Sequence, residues 1–170
     1  MKFKKLYTES SVDYKLFCDL DGVLVNLNKA IKVFGLGGFE DIDANNLQGV
    51  LWNKIKERGS DFWMLAPWQK DGHELWDYVK SYKPIILTAP PKVGADEAEK
   101  GKRDWVKREL GQSVKCIVAY AEDKQKQASK NSILIDDMVK NIDQWVANNG
   151  IGILHKNSAD TIARLKELGL

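Results

Sequence analysis

The sequence predicts an α/β fold built on a five-stranded parallel β-sheet. Five short apolar runs, each long enough for a strand, are separated by segments with helical periodicity. None of the runs alternates regularly between apolar and polar residues, which is typical of strands that are covered on both faces. The runs are residues 14–18, 84–88, 114–120, 132–135 and 151–154. Strands that alternate with helices indicate right-handed crossovers between parallel strands.

The segments between the strands place apolar residues three or four positions apart, on one helical face. Glycines follow two of these segments, at Gly111 and Gly150, where a helix is expected to end. The faces comprise Leu75, Val79 and Tyr82; Trp105, Val106, Glu109 and Leu110; Ile142, Trp145 and Val146; and Ile162, Leu165 and Leu168. The spacing predicts an amphipathic helix in each segment.

The first two strands are separated by residues 22–83, far more than one crossover needs. This segment contains two further helical patterns, one over residues 27–34 and one over residues 47–55 that ends near Gly59. The stretch DFWMLAPW, residues 61–68, is predicted to be a loop that leads back to the sheet. We interpret residues 26–79 as a small helical cap, and residues 1–25 and 80–170 as the α/β core.

The composition is that of a globular domain, with 170 residues of which 44% are hydrophobic and 29% charged. The net charge of +2 neither supports nor excludes binding to nucleic acid. No apolar run approaches the length of a membrane span, and no apolar stretch of a signal peptide follows the early lysines. These features predict a cytoplasmic protein that does not bind membranes, and they give no indication of its oligomeric state. Cys18 and Cys116 fall within predicted strands, where we expect buried thiols.

Polar and charged residues stand at the ends of four of the five predicted strands. Ligands of open α/β sheets bind at the carboxyl ends of the strands, so these residues are expected to converge. They are Asp19 and Asp21 for the first strand, Thr88, which Ala89 follows, for the second, Glu122, Asp123 and Lys124 for the third, and Asp136 and Asp137 for the fourth. Neighbouring carboxylates repel one another unless a cation lies among them. Oxygen ligands without thiolate or imidazole favour Mg²⁺.

This set of residue types fits the transfer of a phosphoryl group. Thr88 can hydrogen-bond a phosphoryl oxygen, and Lys124 can neutralise both a phosphate and a nucleophilic carboxylate. Asp19 and Asp21 are two residues apart, so in an extended strand their side chains point the same way. One could attack phosphorus while the other moves protons. Gly22 allows the chain to turn sharply immediately afterwards.

Each of these signals also has a purely structural explanation. Asp136 and Asp137 alone could cap the helix that follows them. Lys124 alone could be a solvated surface lysine, and Thr88 alone a β-branched strand residue. A calcium loop is excluded, because glycine and glutamate are missing from its sixth and twelfth positions. It is the joint placement of these residues after four successive strands that indicates a functional site.

With these motifs the chain resembles the haloacid dehalogenase (HAD) superfamily of phosphohydrolases. DLDGV matches the first motif of that superfamily, LTA the second, the lysine before the fourth strand the third, and LIDD the fourth. Within the superfamily the chain is most similar to the 5'(3')-deoxyribonucleotidases, in the stretches DLDGVLVN, FWMLAPW, TAP, KRDWVKRELG and EDK. The resemblance covers nearly the whole chain. It implies a doubly wound, Rossmann-like sheet with a small helical cap inserted after the first strand.

The resemblance also implies catalytic roles and a Mg²⁺ cofactor. Asp19 would be the nucleophile that forms an aspartyl-phosphate, and would also be a ligand of Mg²⁺. Asp21 would be the general acid and base, and would also bind Mg²⁺ through its backbone oxygen. Asp136 or Asp137 would complete the metal site, and the sequence leaves open which of the two ligates the ion directly.

Substrate-binding roles follow from the same resemblance. Thr88, Ala89 and Lys124 would hold the phosphate of a small monoester such as a nucleotide. Phe62 or Trp63, in the predicted cap, would stack on the nucleobase. We therefore expect these five side chains to lie around one substrate-binding cavity.

Several positions depart from the pattern of the nucleotidases. Ala89 stands where they usually have serine, Glu122 and Met138 where they often have arginine, and Leu27 where they often have an aromatic residue. These positions lie around the leaving group in the family, so the departures affect substrate choice more than the core chemistry. Lys102 is an alternative for the lysine role, but its helix is expected to start on the far side of the third strand.

Three functions remain open at this point. The first is a Mg²⁺-dependent phosphatase for small phosphate monoesters, most similar to a 5'(3')-deoxyribonucleotidase that acts on nucleoside monophosphates. The second is a polynucleotide 3'-phosphatase, which would need a basic track beside the site. The basic residues of one predicted helix are Lys100, Lys102, Arg103, Lys107 and Arg108. The third is a non-catalytic binding protein on the same fold, which has no need of the complete acidic set.

Overall fold

The computed structural model describes residues 13–37 and 48–170. In these ranges five parallel strands form one sheet, in the order β3-β2-β1-β4-β5. The strands are β1 (Lys15–Cys18), β2 (Ile85–Thr88), β3 (Cys116–Val118), β4 (Ser132–Asp136) and β5 (Ile151–Leu154). Each coincides with one of the five predicted runs. The prediction of a five-stranded parallel α/β fold is therefore confirmed.

Both faces of the sheet are covered, which explains why the strands do not alternate between apolar and polar residues. Cys18 of β1 and Ile133 of β4 belong to the larger apolar core on one face. Phe17 and Leu134, the adjacent positions, belong to a second core on the other face, built around Trp145. The rings of Phe17 and Trp145 meet edge to face, with centroids 5.1 Å apart. Successive side chains of a strand point to opposite faces, so a sheet with two cores requires apolar residues at every position.

Helices connect the strands in the predicted alternation. Within the described ranges the α-helices are α1 (Leu27–Val33), α2 (Gln48–Glu57), α3 (Ser60–Met64), α4 (Gly72–Val79), α5 (Ala95–Glu109), α6 (Val139–Ala147) and α7 (Ser158–Glu167). Lys80–Tyr82 and Ala121–Gln127 form 3₁₀ helices. Gly111 follows the end of α5 with φ of 115°, a backbone conformation that glycine adopts without strain. The predicted end of this helix is confirmed.

The insertion between β1 and β2 contains α1 to α4. Leu47, which belongs to the predicted second helix of the insertion, lies outside the described residues. The prediction of a loop over DFWMLAPW is wrong for its first half, because Ser60–Met64 forms α3. A helix of five residues is too short to produce a recognisable period in the sequence. The division into a core and a cap over residues 26–79 stays a prediction.

The two cysteines are free thiols on β1 and β3, and β2 separates them. Cys18 is buried as expected, whereas Cys116 is only partly buried. Burial raises the pKa of Cys116 to about 11. Of the helices in the described part of the chain, none is both long enough and apolar enough to cross a bilayer.

Candidate active site

Three neighbouring strands bring the predicted residues to one edge of the sheet. β1 lies between β2 and β4, and Cys18 is paired in register with Ile135. The Asp19 amide donates to the Ile135 carbonyl at 2.9 Å, so Asp19 and Asp136 follow the two strands at the same level. Thr88 ends β2 on the other side of β1. The convergence expected at the carboxyl ends of the strands is therefore present.

Lys124 joins the two central carboxylates. The 3₁₀ helix Ala121–Gln127 carries its side chain inward, where it is 2% exposed. Its Nζ lies 2.8 Å from Oδ2 of Asp19 and 2.7 Å from Oδ2 of Asp136. Burial lowers the pKa of Lys124, but the two carboxylates outweigh this effect and hold the pKa above its usual value. The ammonium therefore stays charged, and Lys124 occupies the predicted position.

Asp136 is completely buried, and neighbouring groups hold both oxygens of its carboxylate. Asn141 in the first turn of α6 donates to both of its oxygens at 3.0 Å, and the Met138 amide donates to Oδ1 at 2.9 Å. Burial, followed by the charge of Asp19, raises the pKa of Asp136, and Lys124 offsets part of this rise. Asn141 was not singled out in the sequence. A polar residue five positions after an aspartate at a strand end is the signal that could have identified it.

A third carboxylate, Asp137, adds negative charge to this cluster. Burial, and then the charges of Asp19 and Asp136, raise the pKa of Asp137 to about 6. Gly22 turns immediately beside it with φ of 80°, and a Cβ on Gly22 would lie only 2.1 Å from Oδ2 of Asp137. Only glycine fits at this position, because a side chain would displace the carboxylate.

The donor set suits a divalent cation. One oxygen each of Asp19, Asp136 and Asp137 lies within 4.8 Å of the others. Lys124 supplies one positive charge against these three carboxylates, which leaves an excess of negative charge that a cation can neutralise. An all-oxygen set of carboxylates is the type of ligand that Mg²⁺ prefers. The Asp21 side chain is not part of this group.

We expect Asp137→Asn to stabilise the metal-free protein. The carboxyl pKa is higher in the folded state than its ordinary value of 3.8, so the wild type loses stability as the pH rises from about 4 to 6. The variant should melt about 2–4 °C higher than the wild type at pH 7 in EDTA, a modest shift because Asp137 is partly exposed. At pH 4 the difference should vanish. Mg²⁺ should raise the melting temperature of the wild type and have little effect on the variant.

The matched control for this experiment is Asp143→Asn, which removes an exposed carboxylate from α6. It should leave both the pH dependence and the Mg²⁺ response unchanged. Equal responses of Asp137→Asn and wild type to Mg²⁺ would contradict a metal site that includes Asp137.

Lys102 also reaches the site, and the expectation for its helix is wrong. Because α5 follows β2, it begins at the same edge of the sheet as the site. The Lys102 ammonium pairs with Oδ2 of Asp21 and donates to Thr88 Oγ1 at 3.1 Å and to the Ala89 carbonyl at 2.8 Å. The sequence feature that could have identified Lys102 is its spacing of one helical turn from Ala98 and from Trp105, which are buried on the inner face of the helix.

A cavity of about 410 Å³ opens above the carboxylates. Asp19, Asp21, Asp137 and Lys124 contribute to its wall. The remaining lining residues are small, apolar or carboxamide-bearing: Gly22, Asn26, Leu27, Asn28, Gln69, Ala89, Ala121, Met138 and Asn141. Lys124 is the only cation among the described residues that line it. Asp123 instead pairs with Lys126 at the surface, so this acid after β3 does not join the site.

The two aromatic residues expected to contact a base do not line this cavity. Phe62 has no exposed surface and packs against Phe34 and Trp63, with centroids 5.2 and 5.1 Å away. Trp63 is 3% exposed and stacks on Trp52. The helical conformation of α3 turns both rings into the core. In this structure the two aromatic residues therefore serve core packing rather than contact with a base. Leu27 and Met138 are the large apolar residues at the cavity instead.

Comparison with known proteins supports the fold. No family model and no curated protein matches the chain. Among solved structures, a hydrolase from Pseudomonas syringae is 13% identical with a TM-score of 0.52, and the match covers 91% of this chain and 98% of that one. A hydrolase from Streptococcus pneumoniae TIGR4 is 12% identical with a TM-score of 0.50, covering 90% and 98%. A HAD-superfamily hydrolase from Ehrlichia chaffeensis is 11% identical with a TM-score of 0.45, covering 92% and 97%. Over nearly its whole length, the chain shares the fold of the first two hydrolases.

Proposed function

We propose that this protein is a Mg²⁺-dependent phosphatase of the HAD type that hydrolyses small phosphate monoesters. The observation that carries the proposal is the Asp19 carboxylate, held against the buried Lys124 ammonium at a cavity that also contains Asp21 and Asp137. Burying ionised groups is costly for folding, and an apolar core would serve a purely structural role at less expense. A buried, charged cluster that opens into a cavity therefore supports catalysis over a binding-only role.

The residues present account for a two-step reaction. An oxygen of Asp19 attacks phosphorus, and the bond between phosphorus and the leaving oxygen breaks as the aspartyl-phosphate forms. Asp21 gives a proton to the leaving oxygen, then takes one from the water that attacks the aspartyl-phosphate. Inorganic phosphate leaves and the Asp19 carboxylate is restored.

The charges of the site assist both steps. Lys124 holds Oδ2 of Asp19 in place and offsets the charge that accumulates as phosphate approaches a carboxylate. The Leu20 amide fixes the other oxygen, Oδ1, by donating to it at 2.8 Å. Asp19, Asp136 and Asp137 would hold Mg²⁺, together with the backbone oxygen of Asp21, and the bound ion would neutralise phosphoryl oxygens.

For the substrate we propose nucleoside monophosphates, as in the 5'(3')-deoxyribonucleotidases that the motifs resemble. The chemistry of the cavity supports a neutral, hydrogen-bonding leaving group such as a nucleoside. Asn26 and Gln69 offer carboxamide side chains, and Leu27 and Met138 offer apolar surface. The location in the cytoplasm stays a prediction.

The basic residues of α5 do not favour the alternative of a polynucleotide 3'-phosphatase. Lys100 pairs with Asp104 at 2.9 Å, Arg103 with Glu99 at 2.8 Å, and Arg108 with Glu109 at 2.7 Å. Lys102 is buried. The helix therefore presents charges that are largely compensated, whereas a phosphate backbone is bound by uncompensated cations.

The test is phosphate release from a panel of substrates, measured in Mg²⁺ and in EDTA. The panel contains 5'- and 3'-deoxyribonucleoside monophosphates, ribonucleotides, a sugar phosphate and an oligonucleotide with a 3'-phosphate. We expect Mg²⁺-dependent release from the nucleoside monophosphates and little from the oligonucleotide. Preference for the oligonucleotide would favour end repair. No release from any member of the panel would overturn the proposed function.

A further inference from the structure

We propose that Lys102 is a positioning residue, which fixes the carboxylate of Asp21 for proton transfer and ties it to helix α3. The proposal rests on the proposed function, because it assigns a task to a lysine within the same site. The two buried lysines of the site then have different roles. Lys124 serves the nucleophile Asp19 and the metal-binding carboxylate Asp136, and Lys102 serves the acid–base residue Asp21.

Every hydrogen atom of the Lys102 ammonium has an acceptor. The side chain is 2% exposed, and its Nζ donates to the Asp21 carboxylate, to Thr88 Oγ1 at 3.1 Å and to the Ala89 carbonyl at 2.8 Å. A lysine ammonium has three donors, so this set satisfies it completely. One acceptor, Thr88, is the last residue of β2, and another is the backbone carbonyl of the next residue, Ala89, so the ammonium is anchored at the carboxyl end of β2.

Helix α3 closes the remaining side of the ammonium. Lys102 Nζ lies 4.8 Å from the centre of the Trp63 ring, within the range of a cation–π contact. The preceding residue, Gly101, allows this approach, because a Cβ there would lie 2.2 Å from the Ser60 carbonyl oxygen and 2.6 Å from Trp63 Cβ. The packing of α3 on α5 therefore determines where the Trp63 ring sits, and the ring in turn confines the Lys102 ammonium.

The stability of the fold gives no reason for a cation at this position. Lys102 lies on the inner face of α5, among the buried residues Ala98, Trp105 and Val106. An apolar residue of similar length would bury its side chain there without the cost of desolvating a charge. The Asp21 carboxylate is 25% exposed, so it has access to water and does not need a buried partner for its own solvation. What the lysine adds is a fixed direction for that carboxylate.

The consequence concerns the two oxygens of Asp21. With Oδ2 held by Lys102, the other oxygen, Oδ1, is the one available to exchange a proton with the leaving group and with water. Proton transfer requires its donor within hydrogen-bond reach, and a misplacement of about 1 Å can cost about 10²-fold in rate. Without the ammonium, Asp21 would be free to rotate towards solvent.

The experiment compares Lys102→Met with wild type on two substrates that differ in how much their leaving group needs a proton. The nucleoside released from a nucleoside 5'-monophosphate is a basic alkoxide that needs a proton from the acid. The p-nitrophenolate released from p-nitrophenyl phosphate is stable and does not need one. We compare kcat/KM, which reports on the steps up to formation of the aspartyl-phosphate. The expected loss is about 10²-fold on the nucleotide and only a few-fold on the aryl phosphate.

Two further variants serve as controls for the comparison of Lys102→Met with wild type. Asp21→Asn should reproduce the selective loss on the nucleotide, because it removes the acid itself. Lys100→Met removes an exposed lysine from the same helix, 68% exposed and paired with Asp104, and should leave both rates unchanged. If Lys102→Met does not fold, as judged by its thermal denaturation, Lys102→Gln takes its place, since its amide can still donate to Thr88 or Ala89.

Equal losses on the two substrates would overturn the positioning role, because a defect in phosphate binding or in folding lowers both rates together. An unchanged rate on the nucleotide would overturn it as well. These outcomes differ from a failure of the proposed function, in which the wild type itself would release no phosphate from either substrate and the role of Lys102 would fall with it.

Discussion

Asp19→Asn is expected to lower the rate of phosphate release by about 10⁴-fold or more while the fold is retained. The amide nitrogen that replaces one oxygen is not a nucleophile towards phosphorus, so no aspartyl-phosphate can form. The substitution changes the side-chain volume very little. An asparagine can still accept the hydrogen bond from the Leu20 amide, and Lys124 keeps Asp136 as its partner.

Stability should change little, because two effects oppose each other. The variant loses the ion pair of Asp19 with Lys124. It also loses the repulsion by which the charge of Asp19 raises the pKa of Asp136 and of Asp137. We therefore expect the melting temperature in EDTA to stay close to that of the wild type.

The measurement combines steady-state phosphate release with mass spectrometry of enzyme that has been quenched in acid during turnover. Wild type should carry a phosphoryl group on the peptide that contains Asp19, and the variant should not. Asp143→Asn, an exposed residue of α6, is the control and should turn over normally. Turnover of Asp19→Asn at the rate of the wild type would show that another group is the nucleophile.

The fold and the centre of the site were predictable because both depend on short-range patterns. The continuous apolar runs predicted strands buried on both faces, and β1 and β4 are indeed shared between two cores. The ends of the strands follow from the same runs, and the carboxyl ends of parallel strands lie at one edge. Asp19 and Asp136 could be placed together for this reason, and Lys124 with them, although the same rule also selected Asp123, which pairs with Lys126 at the surface.

The arrangement of side chains between elements could not be predicted in the same way. Helix α3 is too short to leave a period, so the rings of Phe62 and Trp63 were assigned to a loop at the substrate when they face the core. The helix that carries Lys102 was expected to start on the far side of the third strand, whereas α5 brings this lysine to Thr88 and Ala89. Whether a lysine on a helix points to a site or to solvent depends on how that helix packs, and here the packing depends on the close contact at Gly101.

Lys124→Met should have the second large effect, and it should act on stability as well as on activity. Asp19 and Asp136 share this ammonium at 2.8 and 2.7 Å, and Asp136 has no exposure to water. Removing one partner leaves buried carboxylates uncompensated, which destabilises a protein by about 3–5 kcal/mol. The loss of charge stabilisation in the transition state should lower kcat by about 10²–10³-fold.

The pKa of Asp136 determines how the stability of the Lys124→Met variant changes with pH. Lys124 lowers the pKa of Asp136, against burial and the charge of Asp19, which raise it. Without Lys124 the pKa of Asp136 rises further above its unfolded value, so the folded state holds the proton more tightly than the unfolded state. The metal-free variant should therefore be closest to wild type near pH 4 and should lose stability as the pH rises towards 7.

Urea denaturation of both proteins in EDTA, at pH 4 and at pH 7, measures this difference. Lys126→Met is the matched control, because Lys126 belongs to the same 3₁₀ helix and is 71% exposed. It should shift the free energy of unfolding by less than about 0.5 kcal/mol at either pH.

The double variant Lys124→Met/Asp136→Asn should regain part of the lost stability at pH 7 without regaining activity, because the amide removes the uncompensated charge but cannot replace the lysine. If Lys124→Met were as stable as wild type at pH 7, the ammonium would not be what holds the carboxylates together, and its place at the centre of the site would have to be reassigned.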